Sequence, residues 1–283
     1  MRVKQILFAT LFLPFLTACE GPKKDPLDDG GTVSELYNRA FNTLTLDKNY
    51  KKSAQQFEEV QRQHPFSPWA SKAELIAAYA YFEADAYEDA LANLKNYVKL
   101  HPHAPFTPYA YYMIGMNYYV QLKGVNREQE MTFMALNAFR DLIRRYPQSV
   151  YAKDAALKID LCREHLAGQD MEVGRFYQNS ALPIAALDRF TNVIQMYQTT
   201  SHVPEALHRL VEVMLTLGMK KQALVNAAVL GYNFPGSKWY SYTYDLLKKN
   251  QLISPEVSSE EFKKTAADAF SKRQKISAVT TTS

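Results

Sequence analysis

A short motif built around proline recurs along this chain and constrains its fold more than any other feature. Four copies open with His or an aromatic residue directly before Pro: HPFSPWASKA from His64, HPHAPFTPYA from His101, YPQSVYAKDA from Tyr146 and FPGSKWYSYT from Phe234. A fifth copy, YQTTSHVPEA from Tyr197, has its proline displaced to Pro204. Successive copies lie 37, 45, 51 and 37 residues apart. Repetition at this interval predicts a stack of similar structural units.

The segment before each motif carries one helical stripe. The same shifts align a small residue in every segment, at Ser53, Ala90, Ala135, Ala186 and Ala223. Mostly bulky residues follow four and seven positions later, at Phe57, Leu94, Phe139, Phe190 and Ala227, and at Val60, Tyr97, Leu142, Val193 and Leu230. Positions i, i+4 and i+7 share one helix face, and proline cannot continue the helix before it. We therefore predict helix–turn–helix units whose second helix ends just before the proline.

The first helix of each unit supports the same fold. Ala78 aligns with Gly115, and Tyr81 aligns with Tyr118. A small residue and a Tyr on the first helix, then Ala and a bulky residue on the second, resemble the tetratricopeptide repeat, most closely over residues 71–102. The fold class that we predict is all-α, a tetratricopeptide-like α-solenoid of about five helix–turn–helix repeats over residues 33–250, with a C-terminal helix and tail in 251–283.

The predicted helices can be placed along the chain. They cover residues 33–46, 50–63, 69–84, 87–100, 107–122, 129–145, 150–167, 170–180, 182–197, 203–217, 220–232 and 237–249. The two long intervals contain KGVNREQE at 123–130, interpreted as a loop, and AGQDMEVGRFYQNSAL at 167–182, interpreted as an additional short helix. A capping box at 258–261 and an apolar stripe from Phe262 to Phe270 predict a last helix that caps the solenoid or docks on a partner.

The start of the chain has the pattern of an export signal. Arg2 and Lys4 precede an apolar stretch that is too short to span a bilayer, so residues 1–18 are predicted to be a signal peptide. The last three of these residues together with Cys19, Leu16-Thr17-Ala18-Cys19, resemble the bacterial lipobox. This resemblance implies S-diacylglycerol and N-palmitoyl groups on Cys19 after cleavage. A buried Cys near an unprocessed terminus is the alternative. Glu20, where proteins retained in the inner membrane have Asp, implies the periplasmic face of the outer membrane.

The remaining composition gives little sign of chemistry. Residues 19–32 are rich in Pro, Gly and Asp and are predicted to form a flexible tether. The formal net charge is +4, which does not indicate nucleic acid as a partner. His101 with His103, and Cys162 with His165, lack the further ligands or catalytic groups that a metal or nucleophilic site needs. We predict no catalytic residue, no metal and no cofactor beyond the lipid, and no disulfide partner for Cys162.

Tyrosines crowd the first helices of the second and third units. Adjacent residues point in different directions on a helix, so not all of these side chains can belong to one core stripe. Tyr combines an apolar ring with a hydrogen-bonding hydroxyl and suits the binding of an extended peptide. The candidates for contact with a substrate peptide are Tyr79, Tyr81, Tyr112, Tyr118 and Tyr119.

Several longer sequence segments point to one family. HPFSPWASKAELIAAYAYF, HPHAPFTPYAYYMIGM, RRYPQSVYAKDA and VGRFYQNSALPIAALDRF resemble the BamD family of outer-membrane protein assembly lipoproteins over about residues 33–234. This resemblance implies a non-enzymatic component of the β-barrel assembly (Bam) complex. Its implied partners are unfolded outer-membrane β-barrel substrates, a POTRA domain of BamA and other Bam lipoproteins. Arg189, in the matching LDRF segment, is the candidate for an ionic contact with the POTRA domain, with a solvated helix-face role as the alternative.

Two other classes of function remain open from the sequence. A periplasmic tetratricopeptide scaffold lipoprotein for cell-wall or pilus assembly would share the anchor and the repeats, although not the longer sequence segments. An enzyme would need a constellation of catalytic groups that the sequence does not display.

Overall fold

The computed structural model describes residues 31–254, which form eleven α-helices and no strand. The helices are α1 (Val33–Thr45), α2 (Tyr50–Gln63), α3 (Ala70–Glu83), α4 (Tyr87–Leu100), α5 (Thr107–Tyr119), α6 (Glu130–Arg145), α7 (Val150–Asn179), α8 (Pro183–Met196), α9 (Val203–Thr216), α10 (Lys220–Asn233) and α11 (Lys238–Lys249). Within this part of the chain, none of them is both long enough and apolar enough to cross a membrane.

The helices stack in the order of the sequence. Helices that are adjacent in the chain pack extensively on each other. The first helices of successive repeats also touch, as do α3 and α5, α5 and α7, and α9 and α11. Five helix pairs, α1/α2 to α9/α10, are followed by the single helix α11. This arrangement confirms the predicted all-α, tetratricopeptide-like solenoid.

The five turns between repeats share one backbone geometry. His64, His101, Tyr146, Tyr197 and Phe234 each end a helix, with φ between −124° and −134° and ψ between 45° and 60°. Four of these residues precede Pro, which disfavours helical geometry in the residue before it. We call the end of the solenoid that carries the first three of these turns the proline edge; its turns are residues 64–69, 101–106 and 146–149. The turn at 197–202 lies elsewhere, because His202 approaches Gly168 in the middle of α7, next to Val125 of the α5–α6 loop.

The predicted helical stripe is the core of the molecule. At each of the fifteen aligned positions, small or bulky, no more than 1% of the residue surface is exposed. Each bulky apolar side chain removed from water in this way contributes about 1.5–3 kcal/mol to folding. The repeat pattern therefore identified the residues that hold each second helix against its neighbours.

A glycine in the first helix admits an aromatic ring from the second helix. A Cβ atom on Gly115 of α5 would overlap Cε1 of Phe139 in α6. A Cβ atom on Gly174 of α7 would lie 2.5 Å from Cε1 of Phe190 in α8. Both approaches are too close for any side chain, so glycine is required for the rings to reach the helix backbone.

The structure corrects one part of the predicted helix map. Residues 150–179 form a single helix, not two helices at 150–167 and 170–180. Gly168, at which the predicted helix was broken, is buried inside α7, and a Cβ there would lie 3.3 Å from Nε2 of His202. This glycine permits close packing and does not end the helix. The loop predicted from KGVNREQE is confirmed, because α6 begins at Glu130.

Several predictions lie outside the described residues. These are the signal peptide, Cys19, most of the tether, the capping box at 258–261 and the last predicted helix. Only the end of the tether is described, where Thr32 caps α1 through a reciprocal pair of hydrogen bonds with Glu35.

We expect Gly115→Ala to lower the free energy of unfolding by about 1–3 kcal/mol, because the added methyl group overlaps the Phe139 ring. The direction of the change in stability is informative, since alanine in place of glycine inside a helix otherwise stabilises the helix by about 1 kcal/mol. Urea unfolding followed by circular dichroism measures the effect. Gly236→Ala is the matched control, because a Cβ there has no neighbour within 4 Å. A Gly115→Ala chain at least as stable as the native chain would contradict the packing argument.

Candidate functional site: an aromatic groove and a charged network

An open groove of about 510 Å³ lies on the odd-numbered helices of the N-terminal half. Its walls come from α1, α3 and α7 and from the start of α5. We call it the aromatic groove, and its lining residues are Tyr37, Phe41, Leu44, Lys72, Leu75, Ile76, Tyr79, Phe106, Tyr109 and Tyr151. Because consecutive repeats each contribute one wall, the groove exists only in the stacked solenoid.

Ring contacts hold both ends of the groove. At one end, the ring of Tyr37 lies 4.7 Å from the ring of Trp69, which begins α3. At the other end, Tyr151 of α7 lies 5.4 Å from Tyr109 and stacks at 5.3 Å on Tyr112. Such pairs stabilise the walls by about 0.5–1.5 kcal/mol each beyond simple burial. The groove therefore has aromatic walls that are packed in place.

The groove offers apolar surface, hydroxyl groups and one cation. Phe41, Tyr79 and Phe106 remain exposed. Burial, and secondarily Glu83, raises the pKa of Tyr79, while burial next to other tyrosines raises the pKa of Tyr109 to about 12. Both hydroxyls therefore stay protonated, and the Tyr79 hydroxyl hydrogen-bonds to Glu83 in the unbound chain.

Lys72 is the only charged residue among those that line the groove. Its Nζ lies 5.4 Å from the centre of the Trp69 ring, a cation–π distance, and no carboxylate of the described chain pairs with it. The ammonium group is therefore available to an anionic group on a ligand.

The tyrosines predicted to bind peptide fall into two groups. Tyr79 lines the groove at 36% exposure. Tyr112 lies behind Tyr151 and donates from Oη to Oδ2 of Asp154 at 2.6 Å, and Tyr119 is half-buried with Nζ of Lys158 4.9 Å from its ring centre. Peptide contact by these residues stays a prediction.

Tyr81 and Tyr118 are core residues, with only 6% and 7% of their surface exposed. Tyr81 also donates a hydrogen bond from Oη to Oε2 of Glu58 at 2.9 Å. Neither residue belongs to the groove surface, because both side chains are buried in the hydrophobic core. The repeat pattern offered no means of separating them from Tyr79, which lies two positions before Tyr81.

Sequence reasoning identified one of the ten residues that line the groove, Tyr79. Tyr37, Lys72, Phe106 and Tyr151 were not among the candidates. The approach of Tyr151 to Tyr109 depends on how α7 packs on α5, which a repeat alignment does not specify.

Arg189 lies on α8 and makes an ion pair inside the chain. Its Nη1 donates to Oδ1 of Asp170 at 3.1 Å, and Nδ2 of Asn192 donates to Oδ2 of the same carboxylate at 2.6 Å. Asp170 is buried, whereas about half of the Arg189 side chain is exposed. The guanidinium thus satisfies a buried carboxylate and still has surface available to a partner.

The odd-numbered helices of the C-terminal half carry a charged network instead of aromatic walls. Arg175 of α7 donates to Glu205 of α9 at 2.9 Å, and Arg209 lies 3.5 Å from the same carboxylate. Arg209 also donates to Glu212 at 3.0 Å. Nε2 of His208 approaches Glu212 at 3.4 Å. Together these contacts connect α7 and α9.

The network reaches α11 through His208. The Thr243 hydroxyl donates to the carbonyl oxygen of Trp239, so Nδ1 of His208 donates to Thr243 Oγ1 at 2.8 Å. Burial alone would raise the pKa of Glu212. Hydrogen bonds from His208 and Gln178, with the charges of His208 and Arg209, outweigh burial and lower this pKa to about 2. The carboxylate therefore stays ionised; it connects α9 to α7 through Gln178, and His208 connects α9 to α11.

The remaining titratable candidates do not form a reactive site. Cys162 is fully buried, and burial, opposed by the smaller effect of Lys158, raises the pKa of its thiol to about 11. Over residues 31–254, no group of three or more His, Cys, Asp or Glu side chains is arranged to hold a metal ion.

A stack of helix pairs with an open aromatic groove defines a helical-repeat protein suited to holding an extended chain. The comparison with known families gives the particular one: the chain belongs to the YfiO family of outer membrane lipoproteins, whose model matches residues 29–230. This membership confirms the resemblance to the BamD family that was inferred from the sequence segments quoted above.

Individual relatives agree. The outer membrane protein assembly factor BamD of Rickettsia prowazekii (strain Madrid E) is 42% identical over 252 residues, covering 89% of this chain and 100% of the relative. BamD of Caulobacter vibrioides (strain ATCC 19089 / CIP 103742 / CB 15) is 41% identical over 246 residues, covering 86% of this chain and 80% of the relative. A solved tetratricopeptide protein of Thermus thermophilus aligns with 78% of this chain and 100% of its own at 17% identity and a TM-score of 0.35, too distant to add to the argument.

We expect Glu212→Gln to lower the free energy of unfolding by about 2 kcal/mol at pH 7. A carboxylate whose pKa is lower in the folded than in the unfolded chain stabilises the fold above its unfolded pKa, near 4.5, and loses that effect as the pH falls towards 2. The difference between variant and native chain should therefore shrink between pH 4.5 and pH 2 in denaturant titrations.

Glu172→Gln is the matched control, because Glu172 is half-exposed and pairs with Arg175 at the surface. We expect it to change stability by less than about 0.5 kcal/mol at any pH. A Glu212→Gln effect of constant size across the same pH range would rule out ionisation as its cause.

Proposed function

We propose that this protein is a lipid-anchored, non-enzymatic assembly factor that binds unfolded outer-membrane β-barrel proteins and presents them to the Bam complex. The aromatic groove is the observation that carries the proposal, and membership of a family whose relatives are outer membrane protein assembly factors supports it. The groove is the part of the molecule that would receive the substrate.

The groove chemistry suits an extended segment of an unfolded barrel protein. Such segments alternate apolar and polar side chains, and their backbone donors and acceptors are unpaired before folding. Exposed Phe41 and Phe106 would bind the apolar side chains, and the protonated Tyr79 hydroxyl would hydrogen-bond to the backbone. A groove of this kind binds many substrates because it does not depend on one exact sequence.

Lys72 would bind a carboxylate at the end of the segment. It is the one charged group in an otherwise aromatic and aliphatic lining and has no carboxylate partner in the described chain. A C-terminal aromatic residue would place its ring among the groove tyrosines and its carboxylate near the ammonium. We therefore propose the C-terminal signal of the barrel substrate as the bound segment.

The C-terminal repeats would dock on the complex. Arg189 exposes about half of its side chain while it is paired with Asp170 of α7, and Arg can hold a partner carboxylate through two hydrogen bonds. We propose that it contacts a POTRA domain of BamA and that other Bam lipoproteins bind neighbouring surfaces. Acylated Cys19 would keep the assembly on the periplasmic face of the outer membrane, since several acyl chains bind far more durably than one.

The alternative of a scaffold for cell-wall or pilus assembly loses support from the comparisons. The two relatives described above are both outer membrane protein assembly factors and match nearly the whole chain. The enzyme alternative lacks a supporting group of catalytic residues in the described chain.

We expect Tyr79→Ala to weaken binding of a labelled C-terminal peptide of a barrel protein about fivefold to tenfold, because it removes apolar contact and one donor. Fluorescence anisotropy with the lipid-free chain measures the affinity. Tyr242→Ala is the matched control, since this tyrosine of α11 is exposed and lies outside the groove. Equal affinity for the native chain and Tyr79→Ala would reject the groove as the binding site.

The Lys72 contact is tested in the same assay with an amidated peptide. Lys72→Gln and C-terminal amidation should each weaken binding, and their combination should add little, because both remove the same ion pair. Additive losses would mean that Lys72 does not hold the terminal carboxylate.

For the partner contact, we expect Arg189→Ala to reduce co-purification with BamA at least about threefold, because a charge-assisted, bidentate hydrogen bond is lost. Since Arg189 also satisfies Asp170, Asp170→Asn is the matched variant. It should lower the melting temperature while leaving Arg189 available and BamA recovery close to native. If BamA recovery follows the melting temperature in both variants, the role of Arg189 is structural only.

A further inference from the structure

We propose that the proline edge lies against an anionic lipid surface, so that the protein contacts the membrane through its fold as well as through its lipid. This inference rests on the proposed anchor at Cys19, and it assigns a partner to a surface that meets the groove only at Phe106 and Lys72 and that the Arg189 contact does not use. The position of the chain entry, the exposed apolar residues and the charge of this edge carry it.

The described chain enters the fold at the proline edge. Helix α1 begins there, and the carbonyl oxygen of Gly31 lies 3.3 Å from Nε2 of His64 in the first turn of that edge. Gly31 follows Cys19 by twelve positions. At about 3.5 Å per residue this connection spans at most about 40 Å in any conformation, so an anchored Cys19 keeps this edge near the bilayer.

The proline edge exposes large apolar side chains near that entry point. Phe66, in the turn next to His64, is 100% exposed, and Trp69 and Leu100 are also exposed. Val150 is exposed at the third turn of the same edge, and exposed Phe106 lies where this edge meets the aromatic groove. Exposed aromatic residues are favoured where a protein meets the headgroup region of a bilayer.

The charge of the proline edge distinguishes it from the opposite edge. Its three turns contain no Asp or Glu, and the helical turns that flank them carry six basic residues, Arg62, Lys72, Lys99, Arg144, Arg145 and Lys153. The same flanking turns contribute one acid, Glu35, and the preceding helical turns supply Glu59 to Arg62 and Asp141 to Arg144. A positive edge with exposed aromatic residues is attracted to anionic headgroups.

The opposite edge lacks this combination. It also exposes an apolar residue next to a turn, Leu46 at 75% exposure. In the first three repeats, however, its turns and the helical turns that flank them carry more acids than bases: Asp47, Glu83, Asp85, Glu88, Asp89, Glu128 and Glu130 against Lys48, Lys51, Lys52, Lys123 and Arg127. Apolar exposure alone therefore does not identify the lipid-facing side. An acidic protein would match the charge of the proline edge, but it would not explain why the short connection to the anchor leaves from the same edge.

The test uses the chain from Cys19 onward, coupled through its Cys19 thiol to maleimide-headgroup lipid in vesicles. The anchor is then supplied chemically, and the result does not depend on acylation in the cell. Cys162 does not compete, because it is fully buried and its thiol stays protonated. The vesicles contain phosphatidylethanolamine and phosphatidylglycerol, with or without bromine on the acyl chains, which quenches nearby Trp.

Two reporters compare the two edges. The chain contains two Trp, so Trp239→Phe leaves Trp69 on the proline edge as the single reporter. Leu46→Trp in a Trp69→Phe/Trp239→Phe background places the reporter on the opposite edge, about 20 Å away along a 14-residue helix. We expect brominated lipid to quench Trp69 at least about twofold and the Leu46→Trp reporter to change little, as interfacial Trp is close to the acyl chains.

A second pair of variants tests the edge without moving the reporter. In the Trp239→Phe chain, Phe66→Glu should abolish most of the quenching of Trp69, whereas Leu46→Glu should leave it unchanged; both replaced side chains are exposed, so folding is preserved. Replacing phosphatidylglycerol by phosphatidylcholine should reduce quenching. Equal quenching of the two reporters, or no quenching of Trp69 in coupled chains, would overturn the proposal while leaving the anchor and the peptide groove untouched.

Discussion

The packing of this solenoid depends on an aromatic ring that lies against a helix at a point where the helix has no side chain. Phe139 over Gly115 and Phe190 over Gly174 bring the two helices of a repeat closer than any Cβ atom would permit. Each ring also belongs to the buried stripe that joins its helix to the next repeat. The rise and rotation from one repeat to the next therefore depend on these contacts, and so does every surface built from more than one repeat.

The aromatic groove is such a surface. Its walls are contributed by four first helices or their starts, and no single repeat contains a binding site. The same side of the molecule changes character at α7, where the charged network of Arg175, Glu205 and Glu212 replaces the tyrosines. One continuous array thus presents an apolar surface suited to an unfolded chain and a polar surface whose charges are largely paired within the protein.

Much of this architecture could be predicted because a helical repeat has a regular spacing of small, bulky and turn residues that can be recognised in the sequence. The fifteen stripe positions and the turn residues follow from spacing alone. Tyr197 adopts the turn geometry of the other four boundary residues even though Gln follows it, so the position in the repeat matters as well as the proline. The unbroken α7 was missed because Gly168 is a helix-weakening residue in isolation and a packing residue in context. Of the residues that line the groove only Tyr79 was predicted, since Tyr79 and Tyr81 differ in exposure through their positions around the helix and Tyr151 joins the groove through tertiary packing.

The 30 residues of α7 form a rod about 45 Å long. Tyr151, near its first turn, belongs to the wall that would hold a substrate, and Arg175, near its last, belongs to the network that binds α9. No proline interrupts this helix, and its glycines Gly168 and Gly174 are packed against His202 and Phe190. The groove wall and the network are therefore built on one continuous helix, so displacing either end of it would displace both surfaces.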